Sequence, residues 1–255
     1  MKKITFQKWR GGFGNNIMQL SNAIEYSLNN DYAFESLEHP LIHKFTVNSH
    51  ISYKEIESKH YKDFFYHGCK NRHKVIQEFI KPNLKDTITS QIKKIESNTV
   101  VISIRSGDIF EISDLHRPFQ GAQSYVQSPL SYFKKIINMY EKAIIVYQNE
   151  SNPVIEYLSK LKNVQMESND FPWRIARVLS AQNLCLSGYG TFGPICSMLS
   201  NNLNKLHVTN LTTGISQIPK DIEIDLTNID LNKYIKIGEW KNTEEQRSLM
   251  INFEI

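Results

Sequence analysis

The sequence predicts an α/β protein built from parallel sheets with helices on both faces. Three observations point there. Short apolar runs rich in β-branched residues alternate along the chain with segments of helical periodicity. Two runs end in glycine-rich turns that lead straight into a helix, at residues 11–14 and 188–193. A further run, Val100-Val101-Ile102-Ser103-Ile104, stops abruptly at Arg105-Ser106-Gly107-Asp108, which puts an arginine at the carboxyl end of a buried strand.

Taken in order, residues 4–9 read as a first strand. It runs into Gly11-Gly12-Phe13-Gly14-Asn15-Asn16 and then a helix with Ile17, Met18, Leu20, Ala23, Ile24 and Leu28 at helical spacing. Signals are weaker over 31–98. Residues 61–66 suit a strand, Val75, Ile76, Phe79 and Ile80 form a helical face halted near Pro82, and 84–95 suit another helix. After the strand at 100–104, residues 109–127 read as a long polar loop, a length that tends to carry function. Ser128-Pro129 suit the N-cap and first position of a helix reaching residue 140. A strand over 143–147, a helix from Asn152-Pro153 to residue 161, a short strand over 164–166, a helix carrying Trp173 to Leu179 and a strand over 184–187 follow. The second glycine turn leads to a helix with Ile195, Met198 and Leu199. His207 follows another short strand, and a helix over 243–251 ends the series. The alternation falls into two blocks, 1–96 and 97–236. Residues 237–255 form a terminal helical segment, with packing back on the first block as one option.

Composition narrows the function classes. The 255 residues are 40% apolar and 22% charged, ordinary for a globular protein, and the net charge of +4 does not suggest a nucleic-acid binder. The basic stretch 70–94 is interrupted by Glu78 and Asp86. It reads as a solvated face, with peripheral contact to an anionic membrane surface as the alternative. Three cysteines without a CxxC pattern fit a reducing compartment. No apolar run suits a signal peptide or a transmembrane segment, so the expected location is cytoplasmic, at most at the inner face of the membrane. The histidines show no metal-ligand spacing and read as surface or groove residues; Asp221, Glu223 and Asp225 read as a polar surface loop.

The glycine segment at 11–16 offers helix N–H groups to an anion. It lacks the Gly-Lys-Ser/Thr ending of a P-loop and the third glycine of the dinucleotide fingerprint, so a tight turn with an asparagine cap stands beside the binding reading. Arg105 is a fixed cation with a planar donor fork, and in open α/β sheets ligands sit beyond the carboxyl ends of the strands. The bland alternative is a solvated arginine.

Three blocks, in order, resemble one superfamily. Gly11 to Asn16 resembles the GG-x-GNQ segment of α-1,2-fucosyltransferases and protein O-fucosyltransferases, and Ile102 to Asp108 resembles their His-x-Arg-Arg-Gly-Asp segment. Asp170-Phe171, a helix, a strand and then Ser187 to Gly193 resembles their third segment. The resemblance implies a GT-B-like α/β architecture, two Rossmann-like domains facing a cleft with the first one reduced. It implies an inverting, metal-independent glycosyltransferase using GDP-fucose. Arg105 would bind the diphosphate, Asp170 would recognise guanine, and Ser187, Thr191 and Phe192 would form the phosphate-side hydroxyl loop. Gly12, Gly14 and Asn15 would line the cleft from the amino-terminal domain. Ser103 stands where the family has its histidine and Ser106 where it has its second arginine, which opens the choice to another GDP- or UDP-sugar.

Sugar transfer from a nucleotide diphosphate needs donors for the leaving group, and Arg105 with the Thr191 loop could supply them. It also needs a base near the acceptor hydroxyl; the candidates are Asp108, Glu111, Asp114 and His116, with Asp108 also suited to holding its own turn. The expected partners are a nucleotide sugar and a glycan acceptor, surface-polysaccharide precursors and lipid-linked glycans included. No cofactor or metal is expected. A non-catalytic nucleotide- or sugar-binding protein on the same fold is the alternative from a different class.

Overall fold

The computed structural model describes residues 3–48, 64–110 and 122–255. The chain divides into two compact units. One comprises Met1–Gln91 with Thr191–Leu199 and Ser216–Pro219; the other comprises Ile92–Gly190, Ser200–Ile215 and Lys220–Ile255. Both are α/β and Rossmann-like, a GT-B-like pairing, and the first has the smaller sheet.

The first unit has a three-stranded sheet in the order β1-β2-β3: β1 (Lys3–Ile4) pairs parallel with β2 (Ala33–Glu35), and β2 pairs antiparallel with β3 (Thr46–Val47). Helix α1 (Phe13–Asn29) crosses over from β1 to β2. It begins at Phe13, four residues before the apolar periodicity starts, and Gly12 is its N-cap. Strand β1 stops at Ile4 because side chains claim the backbone that follows. Gln19 accepts from Arg10 N–H (3.1 Å) and donates to Lys8 C=O (2.9 Å), and Asn16 donates to Arg10 C=O (2.8 Å).

Buried polar groups on α1 replace strand ladders in this small unit. Asn22 donates to Phe64 C=O at 2.8 Å. Glu25 accepts from the N–H groups of Lys70 (2.8 Å) and Asn71 (2.7 Å), at the start of α2 (Arg72–Val75). Those backbone bonds keep the Glu25 carboxyl below its ordinary pKa, against the opposing effect of burial. The Arg72 guanidinium is buried and reaches Ser21 Oγ (3.2 Å), Asn22 Oδ1 (2.9 Å) and Gln217 Oε1 (2.8 Å), which ties the segment at 216–219 into the unit.

Helicity continues from α2 through a π-type turn, Ile76–Ile80, to a 3₁₀ turn at Lys81–Asn83 containing Pro82, so the expected stop near Pro82 is observed. Two expectations here are corrected. Phe64–Tyr66 is a 3₁₀ turn, not a strand. Of the helix expected over 84–95, only α3 (Asp86–Thr89) forms. The rest is drawn out by tertiary bonds in the second unit, where Lys93 N–H donates to Ser180 Oγ and Ile95 N–H to Ser180 C=O.

The second unit carries a six-stranded, wholly parallel sheet in the order β6-β5-β4-β7-β8-β9. Its strands are β4 (Thr99–Ile104), β5 (Lys142–Tyr147), β6 (Val164–Glu167), β7 (Asn183–Leu186), β8 (Lys205–Thr209) and β9 (Glu223–Thr227). The chain adds strands outward from β4 to β6, then returns to the other side of β4 for β7 to β9. This is the doubly wound order, and its switch point lies between β4 and β7. Successive strand residues point to opposite faces. Val100, Ile102 and Ile104 therefore join one core with α4 (Leu130–Ile137), α5 (Val154–Leu158), Trp240 and Met250 of α8 (Glu244–Asn252), which packs on α4. Helix α6 (Phe171–Leu179) packs on β4 and β5 from the other face. Helix α7 (Phe192–Leu199) belongs to the first unit and packs on α1.

Three local expectations change. The N-cap of α4 is Pro129, not Ser128, whose hydroxyl instead pairs with Thr209 Oγ1 at 3.2 Å. His207 lies inside β8 rather than after it, and the acidic stretch at 221–225 contributes to β9, an edge strand. An edge strand tolerates acidic side chains where a central one does not. Glu223 pairs with Lys205 (2.6 Å) and Asp225 with His207 (2.8 Å). Among the described residues no helix is long and apolar enough to cross a membrane.

Candidate functional site at the switch point

The carboxyl end of β4 is built rigidly. Arg105 N–H donates to Ser187 Oγ at 2.9 Å, a bond from the end of β4 to the end of β7. Arg105 C=O accepts from Asn152 Nδ2 (2.8 Å), and Gly107 N–H donates to Asn149 Oδ1 (3.0 Å) and Ser151 Oγ (2.8 Å). Ser106 is buried and its hydroxyl accepts from Asn149 N–H. The loop after β5 thus fixes the Arg-Ser-Gly-Asp turn from one side and Ser187 fixes it from the other.

Ser187 in turn donates to Gln127 Oε1 (2.7 Å). The segment Tyr125 to Ser128 lies along the turn after β7: Ser128 N–H donates to Ser187 C=O (2.7 Å) and Tyr189 N–H to Val126 C=O (3.1 Å). Gly188, at φ +130°, permits this approach, since a Cβ there would stand 2.7 Å from the Val126 oxygen. Tyr125 and Tyr189 meet edge to face at 5.4 Å.

The Arg105 guanidinium lies over the Tyr125 ring, its Cζ 5.5 Å from the centroid, and its Nη2 donates to Asp108 Oδ1 at 2.7 Å. Its Nε is buried without a hydrogen-bond partner among the described residues. A buried donor without an acceptor costs free energy, so it is a place where an incoming oxygen gains. Burial pushes the Tyr125 hydroxyl above its ordinary pKa against the pull of Arg105.

Asp170 caps α6, accepting from Trp173 N–H at 2.9 Å, and is exposed. One turn on, the Arg174 guanidinium lies over the Phe171 ring (5.2 Å), and its Nε is also buried and unpartnered among the described residues. By contrast Arg177 is paired along one edge: Nε and Nη2 reach the two oxygens of buried Glu167 at 2.8 and 3.0 Å. Ser103 is half-buried on the α6 side of β4, opposite Ile102 and Ile104.

Gly12, Gly14, Asn15, Thr191 and Phe192 belong to the first unit. Gly14 serves packing: a Cβ there would stand 2.7 Å from Phe192 N and Thr191 Oγ1, at the start of α7. Thr191 donates to Asn15 Oδ1 at 2.8 Å. No described residue stands within 4 Å of where a Gly12 Cβ would be. Glu111, Asp114 and His116 lie outside the described residues.

His39, read as a surface or groove residue, is buried: Nδ1 accepts from Leu41 N–H (3.1 Å), so Nε2 carries the proton and donates to Asn16 Oδ1 (3.2 Å). Burial, helped by Lys85, pushes its pKa down to about 4. His207 is likewise buried, between Asp225 and the Tyr140 hydroxyl (2.7 Å).

Tyr125, Gln127 and Tyr189 were not anticipated as parts of this region. Tyr189 lies inside the glycine turn, and Tyr125 and Gln127 lie in the long polar loop at 109–127, but neither signal singles out these side chains. Among the described residues no group of three or more His, Cys, Asp or Glu side chains could hold a metal ion. Comparison of the chain with family models, with curated proteins and with solved structures found no match.

Proposed function

We propose that this protein is an inverting glycosyltransferase that moves a sugar, fucose from GDP-fucose, to a hydroxyl of a glycan. The observation that carries the proposal is the Arg105 guanidinium at the switch point of a doubly wound sheet, with a buried Nε that has no hydrogen-bond partner among the described residues. That is where such sheets bind nucleotides. The α/β two-unit architecture is compatible with nucleotide-sugar transfer, and the three sequence blocks add the donor class.

The chemistry follows from charge. As the glycosidic bond breaks, the leaving diphosphate gains negative charge, and a donor fixed in advance stabilises that state without reorganising. Arg105 is fixed by its backbone bonds and needs no metal to be cationic. The anomeric carbon becomes oxocarbenium-like, and in-line attack by the acceptor hydroxyl inverts its configuration. Asp108, Glu111, Asp114 and His116 remain the base candidates, and Asp108 is the one already paired with Arg105. Asp170 is proposed at the guanine, which leaves its capping oxygen on Trp173.

A second reading, transfer from another GDP- or UDP-sugar, draws on Ser106. The resembling family has a second arginine there; this chain has a buried serine bonded to Asn149. Incubation with GDP-fucose, GDP-mannose and UDP-glucose, following nucleotide release with and without glycan acceptors, tests both. Release from GDP-fucose that disappears in Arg105→Ala is expected. Release from UDP-glucose alone would replace fucose, and release from none of them would overturn the enzyme reading.

A further inference from the structure

Arginine recognises an oxyanion best along one edge, with Nε and Nη2 each donating to a different oxygen. This protein shows the completed form in Arg177, whose Nε and Nη2 hold the two oxygens of Glu167. Arg105 shows the same edge half filled. Nη2 is taken by a single oxygen of Asp108, while Nε is buried and unpartnered among the described residues. Asp108 sits three residues on, beyond the Gly107 turn, and its side chain is 54% exposed. The rest of that turn is locked by Asn149, Ser151 and Asn152, so the turn does not need the Asp108 carboxylate to hold it.

We infer that Asp108 is a displaceable occupant of an oxyanion fork on Arg105, so that a ligand phosphate takes the Nε–Nη2 edge and releases the Asp108 carboxylate. This rests on the reading of Arg105 as the diphosphate residue. Asp108 then sets affinity by competing for the cation and by repelling the ligand's charge. An exposed pair of this kind is weak enough to be exchanged. A diphosphate offers two oxygens to one edge and fills both donors.

The test is calorimetric titration of the full chain with inorganic pyrophosphate. Asp108→Asn keeps the side-chain shape and removes the charge; it is expected to bind at least about threefold more tightly than the native chain. Asp108→Ser serves if the asparagine variant does not fold, with the same expectation. Arg105→Lys keeps the charge and removes the fork, and is expected to bind at least about tenfold more weakly. In nitrogen-resolved spectra the Arg105 Nε–H resonance should move on addition of pyrophosphate. Binding that depends on Arg105 but is equal or weaker in both Asp108 variants would overturn the inference and make Asp108 a positioning residue. Absence of pyrophosphate binding in the native chain and in both Asp108 variants would overturn the diphosphate reading of Arg105, and this inference with it.

Discussion

The backbone N–H of Arg105 donates to the Ser187 hydroxyl across the point where the strand order of the six-stranded sheet reverses. One bond thereby couples the candidate cation to the neighbouring strand end. It also gives the Ser187 hydroxyl a structural role, since it accepts from Arg105 and donates to Gln127.

Ser187→Ala strands two partners, the part-buried Arg105 N–H and the buried Gln127 side-chain carbonyl oxygen. It is expected to destabilise the protein by about 1–3 kcal/mol in a urea titration. A loss below about 0.5 kcal/mol would show that these groups find other partners.

Gly14 and Gly12 separate close packing from loop freedom. Gly14→Ala drives a methyl group to 2.7 Å from the backbone of Phe192, which cannot yield as a side-chain tip can. It is expected to cost about 1–3 kcal/mol. Gly12→Ala meets no described residue within 4 Å, at an ordinary φ of −85°, and should cost under about 1 kcal/mol. Equal thermal shifts for the two variants would contradict the packing account.

Stability should fall in mild acid. His39 is neutral when folded because burial lowers its pKa to about 4, whereas the unfolded chain titrates it near its ordinary 6.5. Between those values the unfolded state binds more protons, so stability rises with pH across the window and is lost as pH falls through it. His207, lowered by burial, acts with the same sign; Glu167, whose carboxyl burial raises, acts against it. Urea midpoints at pH 7, 5.5 and 4.5 should decline, and less so in His39→Gln. The same pH dependence in the variant would remove His39 as the source.

The Glu167–Arg177 pair is a structural one. Glu167→Gln removes the charge opposite a half-buried guanidinium and should cost about 2–4 kcal/mol. Nucleotide binding per folded molecule should stay unchanged. A selective loss of binding would move this pair into the candidate site.

Much of the second unit was legible, because β4 and β5 are continuous runs rich in β-branched residues, β7 is a short apolar run before a glycine turn, and Asn152-Pro153 marks the start of α5. The first unit was not. Its order depends on long-range side-chain bonds from Asn16, Gln19, Asn22, Glu25 and Arg72, none of which leaves a periodic trace. Residues 84–95 misled for the same reason, since Ser180 claims the backbone of Lys93 and Ile95. At the candidate site Arg105 was visible from the strand it ends. Tyr125 and Gln127 were not, because only the folded chain lays them along the turn after β7.

The most direct test of the central claim is calorimetric titration of the native chain and Arg105→Ala with GDP, UDP and ADP in excess chelator. Selective GDP binding that weakens at least about thirtyfold in Arg105→Ala, from loss of a charged phosphate contact worth about 2–3 kcal/mol, is the predicted result. Binding left within threefold by that substitution would contradict the assignment of Arg105, and with it the switch-point site.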